Sequence, residues 1–180
     1  MTDNGPYTIK HKEKAYESPW IRVDHAEVVH PTGKEGIYGS VHFKNIAVGV
    51  IPIDNNLQTW LVGQYRYPTR QYSWEIPEGG CPVGEDPLQA GQRELLEETG
   101  IVANDWELLL HNIQVSNSVT DELAYLYVAR NINHHKPEPD ETEDLKIKSL
   151  PIQEAIKMVY QGIITDSLSV MGLLAIEKRI

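Results

Sequence analysis

"GGCPVGEDPLQAGQRELLEETGI", Gly79–Ile101, is the stretch that decides how this chain folds. Three glycines, Gly79, Gly80 and Gly84, lead to Pro87 and then to a run of good helix formers that stops at Gly100. Proline suits a first helical turn and glycine the position just past the last, so a helix is predicted from Pro87 to Thr99. Residues three and four apart share a helix face. Glu94, Glu97 and Glu98 therefore converge, although like charges at that spacing cost about 0.2–0.5 kcal/mol per pair. Either Arg93 and solvent absorb the charge, as on an ordinary solvated face, or a cation sits there. Hard carboxylate oxygens at this density suit Mg²⁺ or Mn²⁺, which keep waters and bridge to phosphates.

Outward from the helix the chain alternates between strand and helix patterns. "IRVDHAEVVH" (Ile21–His30), the turn-rich "PTGKEG" and "IYGSVHF" (Ile37–Phe43) predict a hairpin. "IAVGVIPID" and "TWLVGQYRY" flank Asn55-Asn56 and predict a second hairpin, with a buried apolar run in each strand. "SWEIPEGG" is a short extended piece ended by proline and glycines. Beyond the helix, "DWELLLHNIQV", "LAYLYVAR" and "LKIKSLP" read as strands, and "NHHKPEPDETED" reads as a polar loop. Helical patterns return at Ile152–Gly162 and Asp166–Arg179. Three helices among many strands indicate an α/β fold with a mixed sheet between helices.

The chain has 180 residues, 41 % of them apolar and 23 % charged, which are values of an ordinary globular protein. Its formal charge of −10 repels nucleic acid, which normally meets a basic stripe, so no nucleic-acid partner is expected. Small phosphate substrates are repelled as well unless a metal cation intervenes. The single cysteine, Cys81, permits no internal disulfide. No apolar run is long enough to span a membrane and no secretory h-region is visible, so a cytoplasmic protein with no membrane partner is expected. His134-His135 has no partner at zinc-ligand spacing. Cys81 lacks the base a nucleophilic thiol needs.

Read as a pattern, the opening stretch runs Gly79, five residues, Glu85, seven residues, Arg93-Glu94-Leu95, one residue, Glu97-Glu98, one residue, Gly100-Ile101. It resembles the Nudix box at all nine defined positions over 23 residues. The resemblance implies an α/β/α Nudix sandwich with a mixed β-sheet, preceded by N-terminal antiparallel strands. It implies that Glu94, Glu97 and Glu98 bind Mg²⁺, or Mn²⁺, helped by a backbone carbonyl at Glu78 or Gly79. Glu85 and Arg93 are implied as a structural ion pair that ties the loop to the helix.

"VGQYRYPTRQYSWEIPEGG" resembles the branch of ADP-ribose and nucleoside-diphosphate-sugar pyrophosphatases. That likeness implies that Arg66 faces a phosphate or the terminal sugar, where a guanidinium fork is useful, with Arg70 a second contact; a plain surface role is the alternative for both. "PDETEDLKIKSLP" and "QGIITDSLSVMGLLAI" resemble the acidic loop and last helix of the same branch. There a loop glutamate positions the attacking water, which implies Glu141, with Glu143 as alternate; Glu97 or Glu98 could serve as base instead, and a merely polar loop is the bland alternative. One departure stands out: "VSNSVTDE" puts Asn117 where the branch carries a proline, which favours a broader range of diphosphate sugars over ADP-ribose alone.

By the same likeness, residues 1–45 form a strand segment that makes a homodimer and residues 46–180 form the hydrolase domain. Trp20 or Tyr16 would then stack on the nucleobase, for about 1–3 kcal/mol, unless it is a buried aromatic that anchors the hairpin. The implied reaction is hydrolysis of the pyrophosphate of a nucleoside diphosphate sugar to a nucleoside monophosphate and a sugar 1-phosphate. Rival readings are a pyrophosphatase for dinucleoside polyphosphates or nucleoside triphosphates, and a sensor that binds ADP-ribose without cleaving it.

Overall fold

Polar alternation around a few apolar positions sets up the N-terminal strands. In the computed structural model, which describes residues 5–137 and 144–180, β1 (Thr8–Glu17), β2 (Ile21–Val29) and β3 (Glu35–Phe43) form an antiparallel sheet in that order. The predicted β2–β3 hairpin is present, with Val29 opposite Glu35 at its closed end. β1 was not legible in the sequence, because every one of its residues is exposed and no alternation marks a buried face. These strands and Gln114–Glu122 make one compact unit. Asp121 ties that segment to β3: its Oδ1 accepts the Phe43 N–H at 3.0 Å and its Oδ2 lies 2.7 Å from His42 Nδ1.

The second unit comprises Ile46–Ile113 and Leu123–Ile180. Its elements are β4 (Asn45–Pro52), β5 (Gln58–Arg66), β6 (Gln71–Glu75), β7 (Glu78–Pro82), α1 (Pro87–Thr99), β8 (Ile101–Gln114), β9 (Leu123–His134), β10 (Lys146–Pro151), α2 (Ile152–Tyr160) and α3 (Ser167–Ile176). One sheet has the order β7-β4-β9-β8 and another β10-β5-β6. The second predicted hairpin is wrong. The turn exists, with Asp54 Oδ1 accepting the N–H groups of Asn56 and Gln58 at 2.8 Å, but β4 and β5 leave it into different sheets. β4 pairs parallel with β9. Its unbroken apolar run belongs to a strand covered on both faces, as parallel strands are, rather than to a hairpin arm.

Helices cover both faces of that sheet. Gly91 of α1 lies against Val48 and Val50 of β4, and Gly172 of α3 lies against Ile51 of the same strand. Alternate residues of a strand point to opposite faces, so α1 and α3 sandwich β4. The core here includes Val50, Leu95, Ile101 and Ala129, with Trp60 and Trp106 packed on it. Among the described residues no helix is long and apolar enough to cross a membrane.

Candidate active site

The acidic helix is fixed at both ends by its own sequence. Asp86 caps the N-terminus, its Oδ1 accepting the N–H groups of Leu88 at 2.9 Å and Gln89 at 3.2 Å. Gly100 ends it in the left-handed region at φ 69°, its N–H donating to the Leu96 carbonyl. Between these caps α1 carries its glutamates to the start of β7. A Cβ on Gly79 would collide with the Glu94 carboxylate, so only glycine lets that backbone come so close. Glu98 is 3 % exposed, and its Oε2 accepts the Glu78 N–H at 3.0 Å.

Arg93 is the hub of the loop–helix junction. It donates to both oxygens of Glu85, at 3.2 and 3.1 Å, and to the Gly80 carbonyl at 2.9 Å. Its Nη1 reaches Glu94 at 2.7 Å and Glu97 at 3.2 Å. The opening problem of clustered charge is therefore resolved in two directions. Arg93 supplies a countercharge to Glu94 and Glu97, while Glu98 turns to the β7 backbone.

Beside this helix stands a second carboxylate group that the sequence reading did not single out. Ligand oxygens of Glu75, Glu78 and Asp166 lie within 4.8 Å of one another. Asp166 caps α3, accepting the N–H and the hydroxyl of Ser169 at 2.9 Å, and the Ser169 oxygen in turn accepts the Ile76 N–H at 3.0 Å. This clip brings the start of α3 to the β6–β7 link. The signals were visible but ambiguous: Asp166 reads as a helix cap and Glu75 as one letter of an extended piece.

Arg66 neutralises part of this group. Its Nε donates to Glu75 at 2.9 and 3.1 Å, its Nη2 pairs with the same carboxylate, and Glu78 lies 3.4 Å away. Burial works against the Arg66 charge, but the Glu75 carboxylate more than offsets it and raises the guanidinium above its ordinary value. Burial pushes the Glu78 carboxyl well above the usual carboxylate range, with Asp166 and Glu75 adding repulsion. Oε2 of Glu78 is buried with no hydrogen-bond partner. An orphaned buried oxygen among carboxylates is what a bound cation would satisfy. Every donor here is a hard oxygen, so the acidic site is compatible with a divalent cation.

The remaining expected residues are spread more widely. Arg70 is exposed in the turn after β5 and makes no ion pair among the described residues. Trp20, 69 % exposed, and Tyr16, 57 % exposed, belong to the N-terminal unit, so neither is the buried anchor that the bland reading required. Burial raises the Cys81 thiol, which keeps it protonated. Glu141 and Glu143 lie outside the described residues.

The NUDIX domain matches residues 43–165, more than half of the chain. The chain belongs to the Nudix family. Among Nudix relatives, the ADP-ribose pyrophosphatase of Mycobacterium tuberculosis is 33 % identical over 134 residues, 73 % of this chain and 64 % of that protein. The methanol dehydrogenase activator of Bacillus methanolicus is 35 % identical over 128 residues, covering 70 % of this chain and 69 % of its own. The chain thus spans about two thirds of the length of these curated relatives. A crystal structure of an ADP compounds hydrolase superposes with a TM-score of 0.85 at 23 % identity, covering 96 % of this chain and 93 % of that one, which shows the shared α/β fold.

Proposed function

We propose that this Nudix protein hydrolyses the pyrophosphate bond of nucleoside diphosphate sugars, giving a nucleoside monophosphate and a sugar 1-phosphate. The observation that carries the reading is Glu98, buried on α1 and bonded to the Glu78 N–H where the glycine loop meets the acidic helix. The similarity to an ADP-ribose pyrophosphatase supports the substrate class.

Glu94, Glu97 and Glu98, with the backbone at Glu78 or Gly79, would hold Mg²⁺ or Mn²⁺. When bound, the ion neutralises charge that develops on the phosphates. The chain's own groups do the rest. Arg93 holds Glu94 and Glu97 in place, and Glu85 holds Arg93. Arg66, fixed through Nε and Nη2 by Glu75, directs the rest of its guanidinium to a substrate phosphate or sugar. Glu141, or Glu143, orients the attacking water as general base, with Glu97 or Glu98 as the alternative. In this reading Arg70 adds a phosphate contact, Trp20 stacks on the base, residues 1–45 serve a cytoplasmic homodimer, and residues 46–180 carry the chemistry.

The test is incubation with Mg²⁺ and a panel of ADP-ribose, ADP-glucose, GDP-mannose, UDP-glucose, diadenosine tetraphosphate and nucleoside triphosphates. Alkaline phosphatase releases phosphate from the diphosphate sugars only after the pyrophosphate is cut. Turnover of several diphosphate sugars, lost in Glu98→Gln, is the expected result. Turnover restricted to triphosphates or the tetraphosphate would reject the substrate class, and binding without turnover would make the protein a sensor.

A further inference from the structure

The β10-β5-β6 sheet has two chemically different faces. Register partners in adjacent strands point to the same face and neighbours along a strand to opposite ones. Gly63 of β5 pairs with Trp74 of β6 and with Lys146 of β10, and Tyr65 pairs with Tyr72. Those residues and Lys148 therefore share one face, while Arg66 and Glu75 take the other. Because Gly63 has no side chain, the Trp74 ring leans across it: a Cβ there would stand 2.8 Å from the ring. Lys148 Nζ lies 5.2 Å from the Trp74 ring centre and Lys146 Nζ 5.7 Å from that of Tyr72.

Where this aromatic face meets α2, a cavity of about 720 Å³ opens, within the range of about 300–1,000 Å³ typical of small-molecule sites. Trp74, Met158 and Ile163 give it an apolar wall, and Lys148 and Lys157 are set into its lining. Gln153 and Gln161 add side-chain amides, and Glu154 is its one acidic group. Neither lysine forms an ion pair among the described residues, although the chain carries a net charge of −10. Two cations without carboxylate partners, beside an indole and two amides, are complementary to a molecule with a planar ring, hydrogen-bonding edges and a phosphate.

We propose that this cavity is a second binding site, on the sheet face opposite Arg66 and Glu75, and that it takes a free nucleoside monophosphate. The base lies against Trp74 and Met158 with its edge toward the glutamine amides, and the phosphate is held by Lys148 and Lys157. The ligand class comes from the cavity itself; that such a nucleotide is also the reaction product rests on the function proposed above.

Photolabelling with 2-azidoadenosine monophosphate, in EDTA and with the intact chain, tests the site. Label is expected on peptides containing Trp74 or Met158–Ile163, and excess AMP should suppress it. In a Lys148→Gln/Lys157→Gln variant, which keeps its melting temperature and hydrolytic rate, the label should fall about tenfold, the change given by losing one charge-assisted contact. Label that is absent, confined to the box helix or unchanged in the variant would overturn the site, and would leave the hydrolytic reading standing if turnover persisted. Displacement by inorganic phosphate at the concentration at which AMP works would reduce the cavity to an anion site and overturn nucleotide recognition. Tighter competition by a short oligoribonucleotide would assign the surface to a nucleic-acid strand instead, and likewise overturn it.

Discussion

At the scale of single residues, Gly79 and Arg93 decide whether the acidic helix can work. A methyl group at position 79 meets the Glu94 carboxylate, which is the end of a flexible side chain and can swing away. The fold then survives while the carboxylate is displaced. Gly79→Ala is expected to raise the Mg²⁺ concentration for half-maximal turnover about 10–100-fold, the size seen when a ligand's support is removed, with little change in melting temperature. Wild-type Mg²⁺ dependence in that variant would remove Glu94 from the ligand set. Arg93 behaves differently because its planar fork satisfies three carboxylates and the Gly80 carbonyl together. Lysine keeps the charge but not the fork. Arg93→Lys is therefore expected to lose about 1–3 kcal/mol of stability as well as turnover. A urea midpoint equal to that of the wild type would show that Arg93 holds nothing together.

At the scale of elements, what was legible and what was not has a common cause. The box helix could be read because its signals are local: Asp86 and Gly100 cap it, and Glu94, Glu97 and Glu98 recur at helical spacing. The pairing of β4 could not be read, because an apolar run reports burial on both faces and not which strands lie beside it; its partner β9 is far along the chain. Nor could the grouping of Glu75 and Glu78 with Asp166, which depends on Ser169 clipping α3 to the β6–β7 link. Long-range contacts of this kind leave no period in the sequence. The α1–β8 junction offers a direct test of the local part. At Gly100 the backbone is left-handed, and a Cβ would run into the His135 carbonyl and stand 2.9 Å from the Pro137 nitrogen. Neither neighbour is a flexible side-chain end. Gly100→Ala is expected to lower stability by about 2 kcal/mol or more, read from the urea midpoint. A loss below that of the left-handed strain alone would mean that the 135–137 backbone yields.

At the scale of the whole molecule, the two units are held together internally by different forces. In the N-terminal unit the buried residues are Asp24, Ala26 and Val28, too few to form a core of the size seen around β4 and α1. Strand pairing and ion pairs must compensate. Lys12 lies 2.8 Å from Asp24, Lys14 and Lys44 lie 2.5 and 2.9 Å from Glu17, and His42 lies 2.7 Å from Asp121. Lys14, with Lys44, holds the Glu17 carboxyl down from its ordinary 4.5 to about 2, and Lys12 lowers Asp24. A carboxyl depressed in the folded state contributes stability that is fully present above its unfolded value and is lost as pH falls toward the folded one. For Glu17 that window runs from about 4.5 down to about 2. The amide resonances of β1–β3 are thus expected to lose dispersion in acid before those of β4, β9 and α1, as followed by two-dimensional NMR in steps from pH 6 to pH 2.5. These pairs are exposed and screened by salt, so adding about 0.5 M NaCl should shrink their share of stability and move the loss to higher pH. Simultaneous collapse of both units, unmoved by salt, would show that the lysine–carboxylate pairs do not hold the N-terminal sheet.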